Sequence, residues 1–200
     1  MCILGDLLQA PVIKDKMEHV KASALTAPSS GLVLEFGVAK GASLKVIAEV
    51  MAPRIVYGFD SFKGLPRPWV RSETASFPAG HFGLEKPIDP PRENTRLVIG
   101  LIEETLPKFL AEHTEPLAFL HVVVDLGDVT AQILRLCGPR LLGGAIIRFD
   151  EFCDWGGYNL RYPGWAQQEY KALVEWLEAS GKKMKPVSRD SFEGATFSFP

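Results

Sequence analysis

Residues 32–43 read LVLEFGVAKGAS, a short apolar run that ends in an acidic residue and passes into a loop with two glycines. Helical spacing follows, with apolar residues at positions 44, 46, 47 and 50. In open α/β sheets, a strand, a glycine-rich turn and a helix in this order form a pocket for a nucleotide-like ligand. The spacing acid-x-Gly-x-x-x-Gly differs from the Gly-x-Gly-x-x-Gly of dinucleotide-binding enzymes. This stretch therefore predicts a nucleotide-like ligand at the turn formed by Gly37 and Gly41.

The composition is that of an ordinary globular protein. The 200 residues suit a single domain spanning residues 1–200. A formal net charge of −2 gives no bulk attraction to nucleic acid or to an anionic membrane. No apolar run approaches the roughly 18 residues that cross a bilayer, and the first residues do not resemble a signal peptide. The three cysteines are widely spaced and odd in number, which favours free thiols, so we expect a cytoplasmic protein. From the charge and the short apolar runs we expect no nucleic-acid or membrane partner.

The order of apolar patterns predicts an α/β fold. Residues 1–30 form an N-terminal helical segment, with a helix from about residue 11 to residue 24. Near-continuous apolar strands then alternate with helices, which is typical of a doubly wound, mostly parallel sheet covered on both faces. A helix at 165–180 and two final strands complete a seven-stranded sheet whose C-terminus is an antiparallel hairpin. The strands are expected at residues 32–36, 55–59, 96–99, 117–124, 145–149, 182–187 and 195–199, and the central helices at 43–51, 106–112 and 129–136.

Residues 64–94 interrupt this alternation. They hold six prolines together with the aromatic residues Trp69, Phe77 and Phe82. A loop this long inside a compact domain is usually functional or disordered, and the aromatic residues argue against disorder. We therefore expect a lid over the site, in which His81 is a candidate for contact with the substrate and for proton transfer. His121 lies within a predicted strand and is better explained as a packed core histidine.

Acidic residues stand at four predicted strand ends, at Glu35, Asp60, Asp125 and the pair Asp150-Glu151. Ligands of open parallel sheets bind beyond the carboxyl ends of the strands, so we expect these acids to surround one crevice. Helix N-caps are the alternative explanation. Asp60 stands where an acid accepts hydrogen bonds from ribose hydroxyls, unless it only stabilises its own turn.

Asp125 and Asp150 are separated by one helical crossover, which would bring their strand ends side by side. Carboxylates that converge in this way repel each other unless they are protonated, paired with a cation or bound to a metal. Mg²⁺ prefers such oxygen ligands. The alternative is that Arg148 or a nearby lysine balances the acids without a metal.

Several longer motifs resemble one known family. Residues 58–66 (GFDSFKGLP), 100–107 (GLIEETLP), 149–152 (FDEF), 162–165 (YPGW) and 169–173 (EYKAL) are similar to the macrocin O-methyltransferase (TylF-type) family. That family belongs to the class I S-adenosylmethionine-dependent methyltransferases, which have a Rossmann-like sheet. The motifs are collinear, and with the opening stretch they extend from residue 32 to the C-terminus.

The resemblance implies a role for each matching position. Glu35, Gly37, Gly41 and Ser43 would line the amino-acid end of S-adenosylmethionine. Asp60 and Ser61 would hold its ribose, and Gly100, Ile102 and Glu103 would border its adenine. The metal positions would be Asp125, Asp150 and Glu151.

The chain departs from the family at the acceptor end. The family usually has Asp-x-Asp-Leu-Tyr at the end of the fourth strand, where residues 123–127 of this chain read VVDLG. Val123 therefore replaces the first acid and Gly127 replaces the tyrosine. Leu101 stands where an aromatic residue is typical.

Together these features predict an S-adenosylmethionine-dependent O-methyltransferase that acts on a hydroxyl of a small molecule, such as a sugar, a phenol or a natural product. Mg²⁺ bound by Asp125 and Asp150 would lower the pKa of the hydroxyl, or Asp125 would act as the general base. A catalytically silent S-adenosylmethionine-binding protein is the alternative that Val123 and Gly127 suggest. A nucleotide-dependent oxidoreductase is disfavoured by the missing Gly-x-Gly-x-x-Gly. The sequence leaves open whether the chain forms a homo-oligomer.

Overall fold

The computed structural model describes residues 3–155 and 162–200, and within them a large mixed sheet is flanked by helices. The helices are α1 (Ile3–Leu8), α2 (Lys16–Leu25), α3 (Ala42–Met51), α4 (Ile102–Glu112), α5 (Gly127–Cys137) and α6 (Glu169–Ser180). The strands are β1 (Val12–Ile13), β2 (Leu32–Phe36), β3 (Val56–Asp60), β4 (Trp69–Val70), β5 (Ser76–Phe77), β6 (Thr95–Ile99), β7 (Leu117–Val122), β8 (Leu141–Phe149), β9 (Lys185–Asp190) and β10 (Ala195–Phe199).

The main sheet has the order β1-β9-β10-β8-β7-β2-β3-β6. The five strands from β8 to β6 are parallel, and β10 runs antiparallel to both β8 and β9. The predicted α/β architecture with a C-terminal antiparallel hairpin is thus confirmed. The chain winds outward from β2 through β3 to β6 and then returns to place β7 on the other side of β2. The strand order therefore reverses between β2 and β7, where doubly wound sheets bind their ligands.

The sheet has eight strands rather than the predicted seven because β1 adds to its edge. Val12 and Ile13 lie in the segment predicted as helix, but they pair in parallel with Arg189 and Asp190 of β9. The helix begins only after Asp15, whose side chain accepts a hydrogen bond from the Glu18 amide at 2.9 Å. This N-cap fixes the start of α2.

The hydrophobic core lies on both faces of the sheet, as parallel sheets require. All five residues of β2 and all six of β7 are buried. On one face, Leu34 and Phe36 pack with residues of α4, α5 and α6, and on the other face Val33 packs with residues of α2 and α3. In residues 3–155 and 162–200, no helix combines the length and apolar character that a membrane crossing needs. Cys137 and Cys153 are free buried thiols, while Cys2 lies outside the described residues.

A row of polar side chains crosses the otherwise apolar face beneath α2. Strand pairing aligns residues of β2, β7, β8, β10 and β9, one from each strand, and all of them are buried. They are Glu35, His121, Arg148, Thr196 and Ser188. Helix α2 adds His19, whose Nε2 is 3.0 Å from the Ser188 hydroxyl, and Ser23, whose hydroxyl is 2.7 Å from that of Thr196. Buried polar groups are tolerated when they are hydrogen-bonded in this way.

Arg148 is the centre of this row, and its side chain is completely buried. Its Nη1 donates to Asp150 Oδ1, and its Nη2 lies 3.4 Å from Asp190 Oδ2. Asp190 Oδ1 also accepts hydrogen bonds from the amides of residues 192–194 in the turn between β9 and β10. One guanidinium therefore joins the end of β8 to the C-terminal hairpin.

Replacing Arg148 by methionine should strongly destabilise the protein, because two buried carboxylates would lose their common cation. We expect a loss of about 3–5 kcal/mol in the free energy of unfolding, measured by urea denaturation. Arg135→Met is the matched control, since Arg135 is exposed on α5 and should cost less than about 1 kcal/mol. Equal denaturation midpoints for the two variants would contradict this role of Arg148.

Candidate active site

A cavity of about 280 Å³ opens at the carboxyl ends of the central strands, at the point where the strand order reverses. Its wall includes residues that follow β2, β3, β6, β7 and β8. Most of the site residues predicted from the sequence line it, namely Gly37, Asp60, Ser61, Gly100, Ile102, Glu103, Asp125 and Glu151. Five predicted residues do not, namely Glu35, Gly41, Ser43, His81 and Asp150.

Gly37 lines this cavity directly after the end of β2. Its φ is +89°, and a Cβ at this position would lie 1.9 Å from the Val123 carbonyl oxygen. The Gly37 amide donates to the Phe59 carbonyl at 2.9 Å, and the Val123 amide donates to the Phe36 carbonyl at 2.8 Å. The ends of β2, β3 and β7 thus meet at a point where only glycine fits.

Asp60 holds the glycine turn in place. Its Oδ2 accepts hydrogen bonds from the amides of Val38 at 2.8 Å and Ala39 at 2.7 Å, and its Oδ1 accepts one from the Phe62 amide at 2.7 Å. The carboxylate therefore stabilises the loop, which was the alternative explanation for this residue. Asp60 also lines the cavity beside Ser61, so contact with a ribose stays a prediction.

Gly41 and Ser43 lie at the start of α3 and do not line the cavity. Gly41 is the N-cap of α3 with φ +77°, and its amide donates to the Val38 carbonyl at 2.8 Å. Ser43 is half-buried in the first turn of α3. Their contact with the amino-acid end of S-adenosylmethionine stays a prediction.

Glu35 also lies outside the cavity, which corrects the expectation that four strand-end acids surround one crevice. Alternation along β2 places it on the face of Val33, and its side chain is completely buried. His121 Nδ1 lies 2.7 Å from Glu35 Oε2. This contact also shows His121 in the core, as the sequence predicted.

The opposite wall begins at the edge strand β6. The Gly100 amide donates to the Asp60 carbonyl at 3.1 Å, which joins the end of β6 to the end of β3. Ile102 and Glu103 open α4 directly after this point and line the cavity together with Leu101. This wall is mostly apolar and ends in one carboxylate.

Asp125 lines the cavity and stands on strained backbone. Its φ is +61°, a conformation that residues other than glycine seldom adopt. The Leu126 amide donates to the Val124 carbonyl at 2.7 Å, which is the hydrogen bond of a γ-turn centred on Asp125. Strained residues of this kind concentrate at functional sites.

The surroundings of Asp125 change its proton affinity. Burial, together with the negative charge of Asp150, raises the pKa of Asp125 to about 7, while the positive charges of Arg71 and Lys16 oppose the shift. A carboxyl that lines a cavity and titrates near neutral pH is suited to accepting a proton.

Asp150 is enclosed by cations of the protein. Its Oδ1 accepts from Arg148 and lies 3.2 Å from His121 Nε2, while its Oδ2 lies 2.6 Å from Lys16 Nζ. Burial alone would raise the pKa of Asp150, but Arg148 and His121 hold it well below its usual value.

Glu169 is an acid of this region that sequence reasoning did not select. It is completely buried at the start of α6, and its Oε2 accepts a hydrogen bond from the Glu151 amide at 3.1 Å. Burial, reinforced by the charges of Asp150 and Asp125, raises the pKa of Glu169 well above its usual value. An acid in the first turn of a helix is usually explained by the helix dipole, so the sequence carried no separate signal for it.

The arrangement does not fit the divalent metal predicted at Asp125, Asp150 and Glu151. Both oxygens of Asp150 are already paired with cationic side chains. In residues 3–155 and 162–200, no group of three or more His, Cys, Asp or Glu side chains is placed to hold a metal ion. The alternative weighed from the sequence, that Arg148 or a nearby lysine balances these acids, matches the observed contacts.

His81 is not among the residues that line the cavity, so its contact with a substrate stays a prediction. Its ring packs against those of Phe77 and Phe82, with centroid distances of 4.7 and 4.3 Å. Phe82, by contrast, lines the cavity, as do Gly64, Leu65 and Pro66 of the same segment. The cavity is thus bordered by residues 64–94, but His81 serves their internal packing.

The side chains of Arg71 and Arg67 join this segment to the rest of the fold. Arg71 forms an ion pair with Glu193, and its guanidinium lies 4.4 Å from the ring centre of Tyr162. Arg67 forms an ion pair with Asp128 at the start of α5.

Gly127 has a packing explanation. Its amide donates to Gln168 Oε1 at 2.9 Å, and a Cβ at this position would lie 2.8 Å from Gln168 Cα. The chain at the start of α6 therefore occupies the place into which a larger side chain would extend. This contact accounts for the glycine at position 127, whereas Val123 has no such explanation.

Comparisons with known proteins find the same fold. No protein-family model matches the chain, and no curated protein matches it significantly. Among solved structures, the calicheamicin methyltransferase CalS11 is 25% identical, with a TM-score of 0.68 over 98% of this chain and 79% of that chain. A second structure, the apo form of CalS11, is described as a TDP-rhamnose 3'-O-methyltransferase of calicheamicin biosynthesis. It is 22% identical to this chain, with a TM-score of 0.59 over 98% of this chain and 79% of that chain.

Two further solved structures are similar at lower identity. The O-methyltransferase NovP is 18% identical, with a TM-score of 0.63 over 92% of this chain and 78% of that chain. The O-methyltransferase TomG from Streptomyces achromogenes, which is involved in tomaymycin synthesis and was solved with S-adenosylmethionine, is 16% identical, with a TM-score of 0.57 over 98% of this chain and 84% of that chain. These likenesses confirm the predicted class, a methyltransferase enzyme on the Rossmann-like class I fold, whereas the narrower macrocin O-methyltransferase family stays a prediction.

Proposed function

We propose that this protein is an S-adenosylmethionine-dependent O-methyltransferase that acts on a hydroxyl of a small molecule. The observation that carries the proposal is the cavity at the switch point, which is lined both by Gly37 of the glycine turn and by Asp125. Cofactor and acceptor would meet in this cavity.

The cavity wall suits the cofactor. Gly37 leaves room where a Cβ would collide with the Val123 carbonyl, and Asp60 with Ser61 offers oxygen acceptors for ribose hydroxyls. The apolar side chains of Leu101 and Ile102 suit the flat face of an adenine. When bound, S-adenosylmethionine supplies a methyl group on a positively charged sulfur.

Asp125 is the group that we assign to proton transfer. An acceptor hydroxyl must lose its proton as its oxygen bonds to the methyl carbon, and a carboxylate at the cavity wall can take that proton. The cavity also holds the reacting atoms in line, which lowers the entropic cost of the displacement. The Mg²⁺ assistance expected from the sequence is not part of this proposal, because the donors of Asp150 are already engaged.

The proposed class of acceptor rests on the chemistry of hydroxyl methylation and on the similarity to CalS11. Sugars, phenols and other hydroxylated natural products remain the candidates, and the TDP-rhamnose named for CalS11 makes a nucleotide-linked sugar the first acceptor to try. The silent-binder alternative keeps its motivation in Val123, since Gly127 has a packing explanation. Cofactor binding without turnover on sugars, catechols and phenols would favour that alternative.

Gly37→Ala should disrupt the cofactor end of the cavity, because the new methyl group forces the Val123 carbonyl away from the turn. We expect S-adenosylhomocysteine affinity, measured by isothermal titration calorimetry, to fall by at least about tenfold. Gly181→Ala is the matched control, since Gly181 also has a positive φ of +66° but open space around its Cβ position. It should cost about 1 kcal/mol of stability and leave binding unchanged. If the wild-type protein shows no saturable binding, the proposed function fails.

Asp125→Asn should abolish proton transfer and leave S-adenosylhomocysteine affinity intact. We expect kcat/KM to fall by at least about a hundredfold, measured by transfer of radiolabelled methyl to the acceptor. Asp6→Asn, an exposed change on α1, is the control. A variant as active as the wild type would remove Asp125 from the mechanism.

The pH dependence of the activity should follow the ionisation of Asp125. A general base acts when ionised, so the activity of the wild-type enzyme should rise with pH through about 7, the raised pKa of Asp125, and then level off. Below that pH, kcat/KM should fall about tenfold per pH unit. A profile that is flat from pH 5 to pH 8 (about two units below and one above) would contradict the assignment.

A further inference from the structure

Lys16 makes the second cationic contact of the buried acid Asp150. Its Nζ lies 2.6 Å from Asp150 Oδ2 and 3.8 Å from Glu151 Oε1. The Lys16 side chain is 43% exposed, whereas those of Asp150 and Glu151 are 4% and 13% exposed. An ammonium group therefore reaches from the surface to a carboxylate pair whose second member lines the cavity.

The position of Lys16 is not explained by its own helix. It is the first residue of α2, and the N-terminus of a helix carries a partial positive charge that disfavours a cation. Asp15 and Glu18 at the same end have the favourable sign. The acids that Lys16 meets across the fold must therefore account for its placement.

The two cations on Asp150 differ in kind. Arg148 is completely buried, approaches Oδ1 and is shared with Asp190, so it belongs to the internal row of the sheet. Lys16 approaches Oδ2 and also lies near Glu151, which lines the cavity. An ammonium has three donors, enough to serve both carboxylates.

Lys16 and a metal ion cannot both bind the Oδ2 oxygen of Asp150. Mg²⁺ binds carboxylate oxygens at about 2.0–2.1 Å in octahedral geometry. Asp150 Oδ2 is the oxygen that such an ion would need, and it already has Lys16 Nζ at 2.6 Å. A divalent ion would therefore have to displace the Lys16 ammonium group, and the two positively charged groups would repel each other.

We propose that the Lys16 ammonium is the resident cation at the acceptor end of the site, in the place of a divalent metal, and that it positions the Glu151 carboxyl at the cavity wall. The cation claim stands on the contacts alone. The positioning role rests on the proposed methyl transfer.

The cation claim is tested by Mn²⁺ titration, with free Mn²⁺ followed by electron paramagnetic resonance and no cofactor present. Wild-type protein should leave Mn²⁺ free, and Lys16→Met should bind Mn²⁺ at a site that Asp150→Asn in the same variant removes. Lys21→Met, an exposed change on α2, should behave as the wild type. Thermal unfolding verifies that each variant is folded.

Two results would overturn the cation claim. One is Mn²⁺ binding by wild-type protein that Asp150→Asn abolishes, because a metal would then hold this place. The other is a folded Lys16→Met variant that binds no Mn²⁺. The first arm needs only wild-type protein and Asp150→Asn, so the claim can fail even if Lys16→Met does not fold.

The positioning role is tested in the methyl-transfer assay. Excess chelator should leave the wild-type rate unchanged, Lys16→Met should lose on the order of tenfold in kcat, and Lys16→Arg should restore most of it. Loss of activity on chelation would overturn the role. If no acceptor is turned over, the proposed function fails while the Mn²⁺ result still decides the cation claim.

Discussion

The ion pairs of Arg148 are the constraint on which the rest of the site depends. A completely buried guanidinium is tolerated only if carboxylates compensate it, and here Asp150 and Asp190 do so from two different parts of the fold. This bridge fixes the end of β8 against the C-terminal hairpin. It also commits one oxygen of Asp150 to the protein interior, so Glu151 rather than Asp150 faces the cavity. The acceptor end is thus shaped by internal charge balance.

The cofactor end depends on close backbone contact. Gly37 lets the end of β7 approach the glycine turn, and Asp60 holds the amides of that turn with its carboxylate. The same cavity is lined by Asp125, which stands on strained backbone. Rigid main-chain contacts at the glycine turn and balanced charges around Asp150 would hold the two reactants in register.

Local patterns were sufficient to predict much of this arrangement. Strand alternation, the glycine turn and the C-terminal hairpin are encoded over short stretches, so β2, Gly37 and β10 lie where the sequence placed them. Such patterns do not predict the direction of a side chain at a strand end, because that direction depends on the register against neighbouring strands. Glu35 therefore lies beneath α2, away from the cavity, and the two-residue strand β1 formed where a helix was expected. Likewise, the contact between Lys16 and Asp150 joins residues far apart in the chain, and no local pattern reveals it.

The most direct test is a crystal structure of the wild-type protein with S-adenosylhomocysteine and Mn²⁺, with data collected at a wavelength that gives anomalous signal from manganese. We expect the ligand in the cavity between Gly37 and Gly100, and the Lys16 ammonium on Asp150 without an anomalous peak beside it. An anomalous peak between Asp125 and Asp150, with Lys16 displaced, would contradict the charge balance described here. A ligand bound elsewhere would contradict the assignment of the cavity.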